Sequence, residues 1–163
     1  ALMQRGQVTQ SCIFDPSRNE LFTATRGAGA FLNDRRIRVS RRTRMPETLI
    51  GTSFAPDPSG KRLALWTKTF GQISATTSGV RRQGSSVLDL ANVAAGRLDG
   101  YYGCGLKPWD LAAGSLLILE AGGLIGDFDG EQGWMQNGEV VAATPKVFPQ
   151  LLSLLEPLKE ARG

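Results

Sequence analysis

The stretch KPWDLAAGSLLILEAGG, Lys107 to Gly123, decides how the rest of the chain is read. Its small and apolar residues predict a helix over Asp110–Ala121, stopped by Gly122 and Gly123. Leu124–Asp127 then reads as a strand. Upstream, Gly84-Ser85-Ser86 opens a second helix whose Val87, Leu88, Ala91, Ala94 and Ala95 keep helical spacing. Gly96 stops it, and Leu98–Tyr102 follows as a strand. Two helix–strand units in succession predict helices covering a sheet.

The first forty residues carry a different pattern. Val8–Phe14 and Glu20–Thr25 flank the turn Asp15-Pro16-Ser17-Arg18-Asn19, which is strong turn chemistry. Arg26–Gly29 breaks the chain again. Asn33-Asp34 turns Ala30–Leu32 into a strand over Ile37–Ser40. These residues read as an antiparallel β-meander. Between the two regions, Leu49–Phe54 is a strand candidate. Pro56, Pro58 and Gly60 mark a loop. Lys61–Phe70 is a helix with Leu63, Trp66, Thr67 and Phe70 on one side, and Ser78–Arg82 is short and extended. Val140–Ala143 is a strand, and Lys146–Leu155 the last helix, with Pro145 in its first turn and Pro157 ending the fold.

Composition excludes several classes of function. The 163 residues suit one domain, 1–163, with a real core. No apolar run approaches the ~20 residues of a membrane span, and no secretory leader is visible. Two distant cysteines, Cys12 and Cys104, make no disulfide framework, so a cytoplasmic location is expected. With no histidine, every His-based triad or zinc site is excluded. A metal must sit among oxygens, as Mg²⁺, Mn²⁺ or Ca²⁺ does. Net charge is +4, and the local excess is Arg35, Arg36, Arg38, Arg41, Arg42 and Arg44. That cluster reads either as a patch for phosphate, nucleic acid or an acidic protein, or as a solvated loop; no aromatic is interleaved to stack bases.

Asp110 has two readings on spacing alone: a helix cap satisfying free N–H groups, or a metal ligand. One oxygen serving each role reconciles them. Gly84-Ser85-Ser86 at a helix start suits an anion, or is a cap on a close-packed glycine. It is not a P-loop, because the lysine is absent. Asp89, Asp99, Asp127 and Asp129 are further carboxylates that could ligate a metal. Asp89 is expected to pair locally, and Asp127–Gly130 to be a turn, since EF-hand spacing fails. Cys104 lacks a basic partner besides Lys107 and reads as incidental.

Four stretches carry a family resemblance over essentially the whole chain: DPSRNELFTATRGAGAFLNDRRIRVS (15–40), GVRRQGSSVLDLANVAAGRLDGYY (79–102), GLKPWDLAAGSLLILEAGGLIGDFDG (105–130) and VVAATPK (140–146). The chain resembles the inositol monophosphatase family, bacterial members in particular. The most specific motif is Trp109-Asp110 followed by small residues and Glu120-Ala121-Gly122-Gly123. The resemblance implies an α/β fold of the layered α+β kind, an α/β/α/β sandwich. It implies Mg²⁺-dependent hydrolysis of a phosphate monoester such as inositol 1-phosphate, Li⁺ inhibition and a homodimer. Asp110 would ligate a metal. Gly84, Ser85 and Ser86 would contact the polyol, with Thr52 and Ser53 approaching the same pocket.

Two departures from the family stand out. The upstream Gly-Glu-Glu and Asp-Pro-x-Asp-Gly-Thr segments, which supply most of the family's metal carboxylates, do not occur here. The chain is therefore expected to be the C-terminal part of a longer protein, catalytically silent alone. Second, Tyr101-Tyr102 is followed by Gly103 where the family usually has Glu, which implies altered selectivity among phosphate esters, including sugar or nucleotide phosphates. The alternative from another class is a non-catalytic module that binds RNA or protein through the arginines.

Overall fold

Strand β2 (Gln7–Asp15) buries Val8, Ser11, Ile13 and Asp15 while exposing Gln10, Cys12 and Phe14 between them. This is the period-two alternation of a sheet with one covered face. The computed structural model describes residues 1–54 and 61–159. Its first sheet is the expected meander, in the order β1-β2-β3-β4-β5, antiparallel throughout. The other members are β1 (Leu2–Gln4), β3 (Glu20–Thr25), β4 (Gly29–Leu32) and β5 (Arg35–Arg36). Two-residue turns with positive φ join its outer strands: Arg5-Gly6 (50° and 77°) and Asn33-Asp34 (46° and 63°). Consecutive left-handed residues match the twist of the strands they connect.

The second sheet has the order β7-β6-β8-β10-β9. Strands β6 (Leu49–Phe54), β7 (Gly79–Arg81) and β8 (Gly100–Cys104) run parallel. β10 (Val140–Ala143) and β9 (Leu124–Gly126) add antiparallel. Helices α2 (Ser86–Ala94) and α3 (Pro108–Glu120) lie between the sheets, α3 against β2, β3 and β4 and α2 against β6, β8 and β10. The central core holds Phe22, Leu90, Tyr101, Leu111, Leu116 and Leu117. A second core covers the far face of the second sheet, with Ile50, Trp66, Tyr102, Phe128 and Leu151. It is closed by α1 (Lys61–Thr76), α5 (Phe148–Leu154) and α6 (Glu156–Lys159), while α4 (Trp134–Asn137) packs on α3. Sheet, helices, sheet, helices is the layered α+β sandwich that the sequence implied.

The two central helices approach closely because Gly114 has no side chain. A Cβ there would stand 2.6 Å from Cβ and Cδ1 of Leu90. The C-terminal end of α3 is tied to the meander, where Glu120 accepts from the amides of Gly27 at 2.7 Å and Gly29 at 2.8 Å.

Several elements differ from the sequence reading. Residues 37–40 do not extend the meander. Ile37 N bonds Ala30 O, then Val39 N bonds Ala121 O as the chain crosses to the second sheet. Strand β8 starts at Gly100, after a loop in which the Leu98 amide bonds Asn92 O of α2 and the Asp99 amide bonds Leu49 O of β6. Helix α1 continues to Thr76 and buries Trp66, Thr69 and Ile73, leaving Leu63, Thr67 and Phe70 exposed. The last helix begins at Phe148, and Pro157 sits in the short helix α6 rather than ending the fold. The expected Pro56–Gly60 loop lies outside the described residues. Asp127–Gly130 is the expected turn, with Asp127 Oδ1 accepting from the Asp129 amide at 3.0 Å.

Candidate functional site

Parallel β6 and β8 end side by side, with Ser53 opposite Gly103 and Thr52 opposite Tyr102. The crevice beyond the carboxyl ends of parallel strands is where ligands gather in open α/β sheets. Helix α2 begins here. Gly84 has φ +90°, a left-handed conformation that suits glycine. Ser85 is the N-cap, its hydroxyl accepting from the Leu88 amide at 3.4 Å, and Ser86 is the first helical residue. Ser86 Oγ lies 3.1 Å from Ser53 Oγ. Ser53 Oγ in turn is hydrogen-bonded to the Tyr101 hydroxyl beneath it. Both serines are half-buried, whereas Tyr101 is fully buried.

Helix α3 brings Asp110. The expected helix start is two residues late. Pro108 is the first helical residue, Lys107 the N-cap, and Asp110 the third residue in the helix. Its carboxylate reaches back, so that the Lys107 amide donates to Asp110 Oδ2 at 2.9 Å. This is the acidic half of a capping box. Oδ1 makes no hydrogen bond among the described residues and is the oxygen available to a cation. Trp109 beside it is 75% exposed.

The charges of Asp110 and Asp89 both act on Tyr101. Burial chiefly pushes that phenol up, to about 12; the Ser53 and Ser86 hydroxyls oppose the shift, and the two carboxylates add to it. Ser53, Ser86 and Tyr101 thus form one hydrogen-bonded neighbourhood, and Asp110 sits in the first turn of the helix that follows β8. Thr52 does not join that neighbourhood. Successive strand residues face opposite ways, and Thr52 is 2% exposed in register with Tyr102, on the face covered by Trp66. Burial pushes the Tyr102 phenol to about 12, and the adjacent Thr52 hydroxyl pulls the other way.

Two residues acquire meaning only in the fold. Asp89 was expected to pair locally. It is instead fully buried with neither carboxylate oxygen hydrogen-bonded, and burial alone pushes it up to about 7. Its place in Leu88-Asp89-Leu90-Ala91, an acid inside an apolar helix, was the available signal. Gly103 is the other. A Cβ there would lie 2.8 Å from both Ser53 Oγ and the Tyr101 hydroxyl.

Among the described residues, no three His, Cys, Asp or Glu side chains converge as a metal site. Asp99 and Asp127 are spent on structure. Asp99 holds Ser40, Arg42 and the Leu49 amide, and Asp127 accepts from the Glu131 amide and Asn137. A lone carboxylate does not hold Mg²⁺, which keeps its waters and needs further carboxylates or phosphate. Four of the six clustered arginines are also engaged: Arg36 over the Phe31 ring, Arg38 on Glu120 O, Arg42 on Asp99 and Arg44 on Glu47. No helix among the described residues is long and apolar enough to cross a membrane.

Comparison with known proteins agrees with this architecture. The family model described as "Inositol monophosphatase family" matches residues 1–160. A "Putative Nus factor SuhB" of Neisseria meningitidis serogroup B is 44% identical over 155 residues, which cover 95% of this chain and 59% of that protein. An "Inositol-1-monophosphatase" of Mesorhizobium japonicum is 44% identical over 162 residues, covering 99% of this chain and 60% of the relative. The crystal structure of extragenic suppressor protein suhB from Bartonella henselae superposes with a TM-score of 0.89 at 38% identity, covering 96% of this chain and 62% of that one. The chain spans about three-fifths of the length of the curated relatives it matches. The two sheets, the paired central helices and the match across 160 residues lead to one conclusion: the chain belongs to the inositol monophosphatase family.

Proposed function

We propose that these residues form one wall of the active site of a Mg²⁺-dependent phosphomonoesterase, with inositol monophosphate, cleaved to inositol and phosphate, as its substrate. The observation that carries this reading is that Ser86, the first residue of α2, stands 3.1 Å from Ser53 near the end of β6, while α3 starts at Pro108, shortly after β8 ends at Cys104. Free N–H groups and the helix dipole favour an anion at such a place. Ser53 and Ser86 offer hydroxyls to a polyol, and Asp110 offers one uncommitted oxygen to a cation. Asp110 is one contributor to a metal centre that the described residues do not complete, so no chemical step is assigned to metal here. When bound, Mg²⁺ would supply charge for the phosphate oxygens and an activated water.

The test is Mg²⁺-dependent phosphate release from inositol 1-phosphate by the whole protein purified from its own cells. Release that disappears in Asp110→Asn supports the reading. Release that survives Asp110→Asn overturns the assigned metal role. The 163-residue chain alone is expected to release none.

The name of the Neisseria relative, a putative Nus factor, favours a second reading, in which the arginine region binds RNA or a protein. Four engaged arginines leave Arg35 and Arg41 to carry much of it. RNA binding that falls steeply with salt would support that reading.

A further inference from the structure

We propose that Tyr101 is a positioning residue that sets the direction of a hydroxyl chain, making the half-buried serines hydrogen-bond donors to the leaving-group hydroxyls of the substrate. The proposal rests on the phosphomonoesterase reading above and says which part of the substrate this wall recognises.

The argument starts from Gly103. A side chain at that position would begin 2.8 Å from Ser53 Oγ, 2.8 Å from the Tyr101 hydroxyl and 3.1 Å from Leu106 Cδ1. Glycine therefore keeps open the space in which the two hydroxyls meet. The Tyr101 hydroxyl is fully buried and bonded to Ser53 Oγ. A buried phenol must place its proton on an acceptor or bear the cost of an unmade bond. Burial keeps the phenol protonated throughout the working pH range. Its proton goes to Ser53 Oγ. Ser53 then has its own hydrogen to give, either to Ser86 Oγ at 3.1 Å or outward. Whichever serine is last, its hydrogen points away from the buried phenol. A phenylalanine at 101 would leave the serine pair free to turn inward or to exchange donor and acceptor roles. The wall would then lose its orientation while keeping its shape.

The chain ends in neutral donors, which suit the accepting hydroxyl oxygens of a polyhydroxyl leaving group. An aryl leaving group without hydroxyls gives it nothing to hold. The experiment compares inositol 1-phosphate with phenyl phosphate in the whole protein, for wild type, Tyr101→Phe and Gly103→Ala. The expected result is a KM for inositol 1-phosphate raised about tenfold in each variant, corresponding to one lost hydrogen bond of ~1.4 kcal/mol. The KM for phenyl phosphate should stay within twofold, and kcat on either ester should change little. A uniform loss on both esters would assign Tyr101 a purely structural role and overturn the proposal. An unchanged KM for inositol 1-phosphate in Tyr101→Phe would overturn it as well. Wild-type protein that cleaves neither ester would overturn the phosphomonoesterase reading itself. Wild type that cleaves both without preferring the polyol ester would leave that reading standing and overturn only this one.

Discussion

The amide of Lys107 donates to Asp110 Oδ2 at 2.9 Å, so the carboxylate offered to a cation also holds the first turn of its own helix. Cap and proposed ligand are two oxygens of one group. The two roles separate by substitution. Asp110→Asn keeps an acceptor and should cost under ~0.5 kcal/mol, whereas Asp110→Ala should cost ~1 kcal/mol, the usual loss of a helix cap. Urea unfolding of the two variants reads this difference, and equal stability in both would remove the capping role.

Asp89 makes stability depend on pH in the direction opposite to a salt-bridged acid. Its folded pKa, about 7, stands above the ordinary 3.8. The native state therefore binds a proton that the unfolded state has released. Stability is fullest below pH 3.8, declines as pH rises toward 7, and is level above that. Asp89→Asn removes this dependence. It should be more stable than wild type at pH 8 by an amount on the order of a few kcal/mol at most, with the gap closing toward pH 4. Denaturant midpoints at the two pH values check it.

Gly114 is a packing requirement. A methyl group 2.6 Å from Leu90 cannot be placed without moving a helix. Gly114→Ala should cost about 1–3 kcal/mol by overpacking. Adding Leu90→Ala should recover part of that loss, a coupling that a double-mutant cycle in urea measures.

The crossing segment between the sheets depends on Asp99. Its carboxylate, fully buried, takes the Leu49 amide at 2.7 Å, the Ser40 hydroxyl and Arg42. Asp99→Ala strands the amide and should cost about 2–3 kcal/mol. Arg42 is 51% exposed, and Arg42→Ala should cost under ~1 kcal/mol because water screens its pair. Thermal melts of the two variants should therefore differ clearly.

The meander, the two central helices and β10 were legible because their signals are local: turn residues, helical spacing, a terminal glycine. β1 was missed, being three exposed residues held by the Arg5-Gly6 turn. The buried face of α1 is not legible in the sequence, because Leu63 and Phe70 form a second apolar stripe and only the neighbouring sheet decides between stripes. Thr52 and Ser53 were both assigned to the pocket, although adjacent strand residues face opposite ways; period-two reasoning alone separates them. Of the candidate site, Ser53, Gly84, Ser85, Ser86 and Asp110 are nameable from the sequence and remain proposals. Tyr101 is not, since its role depends on which groups burial leaves near it.

Helix α3 is anchored at both ends, by Lys107 and Asp110 at one and by Glu120 on the Gly27 and Gly29 amides at the other. Its 13 residues make a strut of about 20 Å. A rigid rod clamped to the meander transmits displacement instead of absorbing it. Anything that shifts the β3–β4 turn will move Asp110 by a comparable distance, so the antiparallel sheet sets the alignment of a carboxylate it never touches.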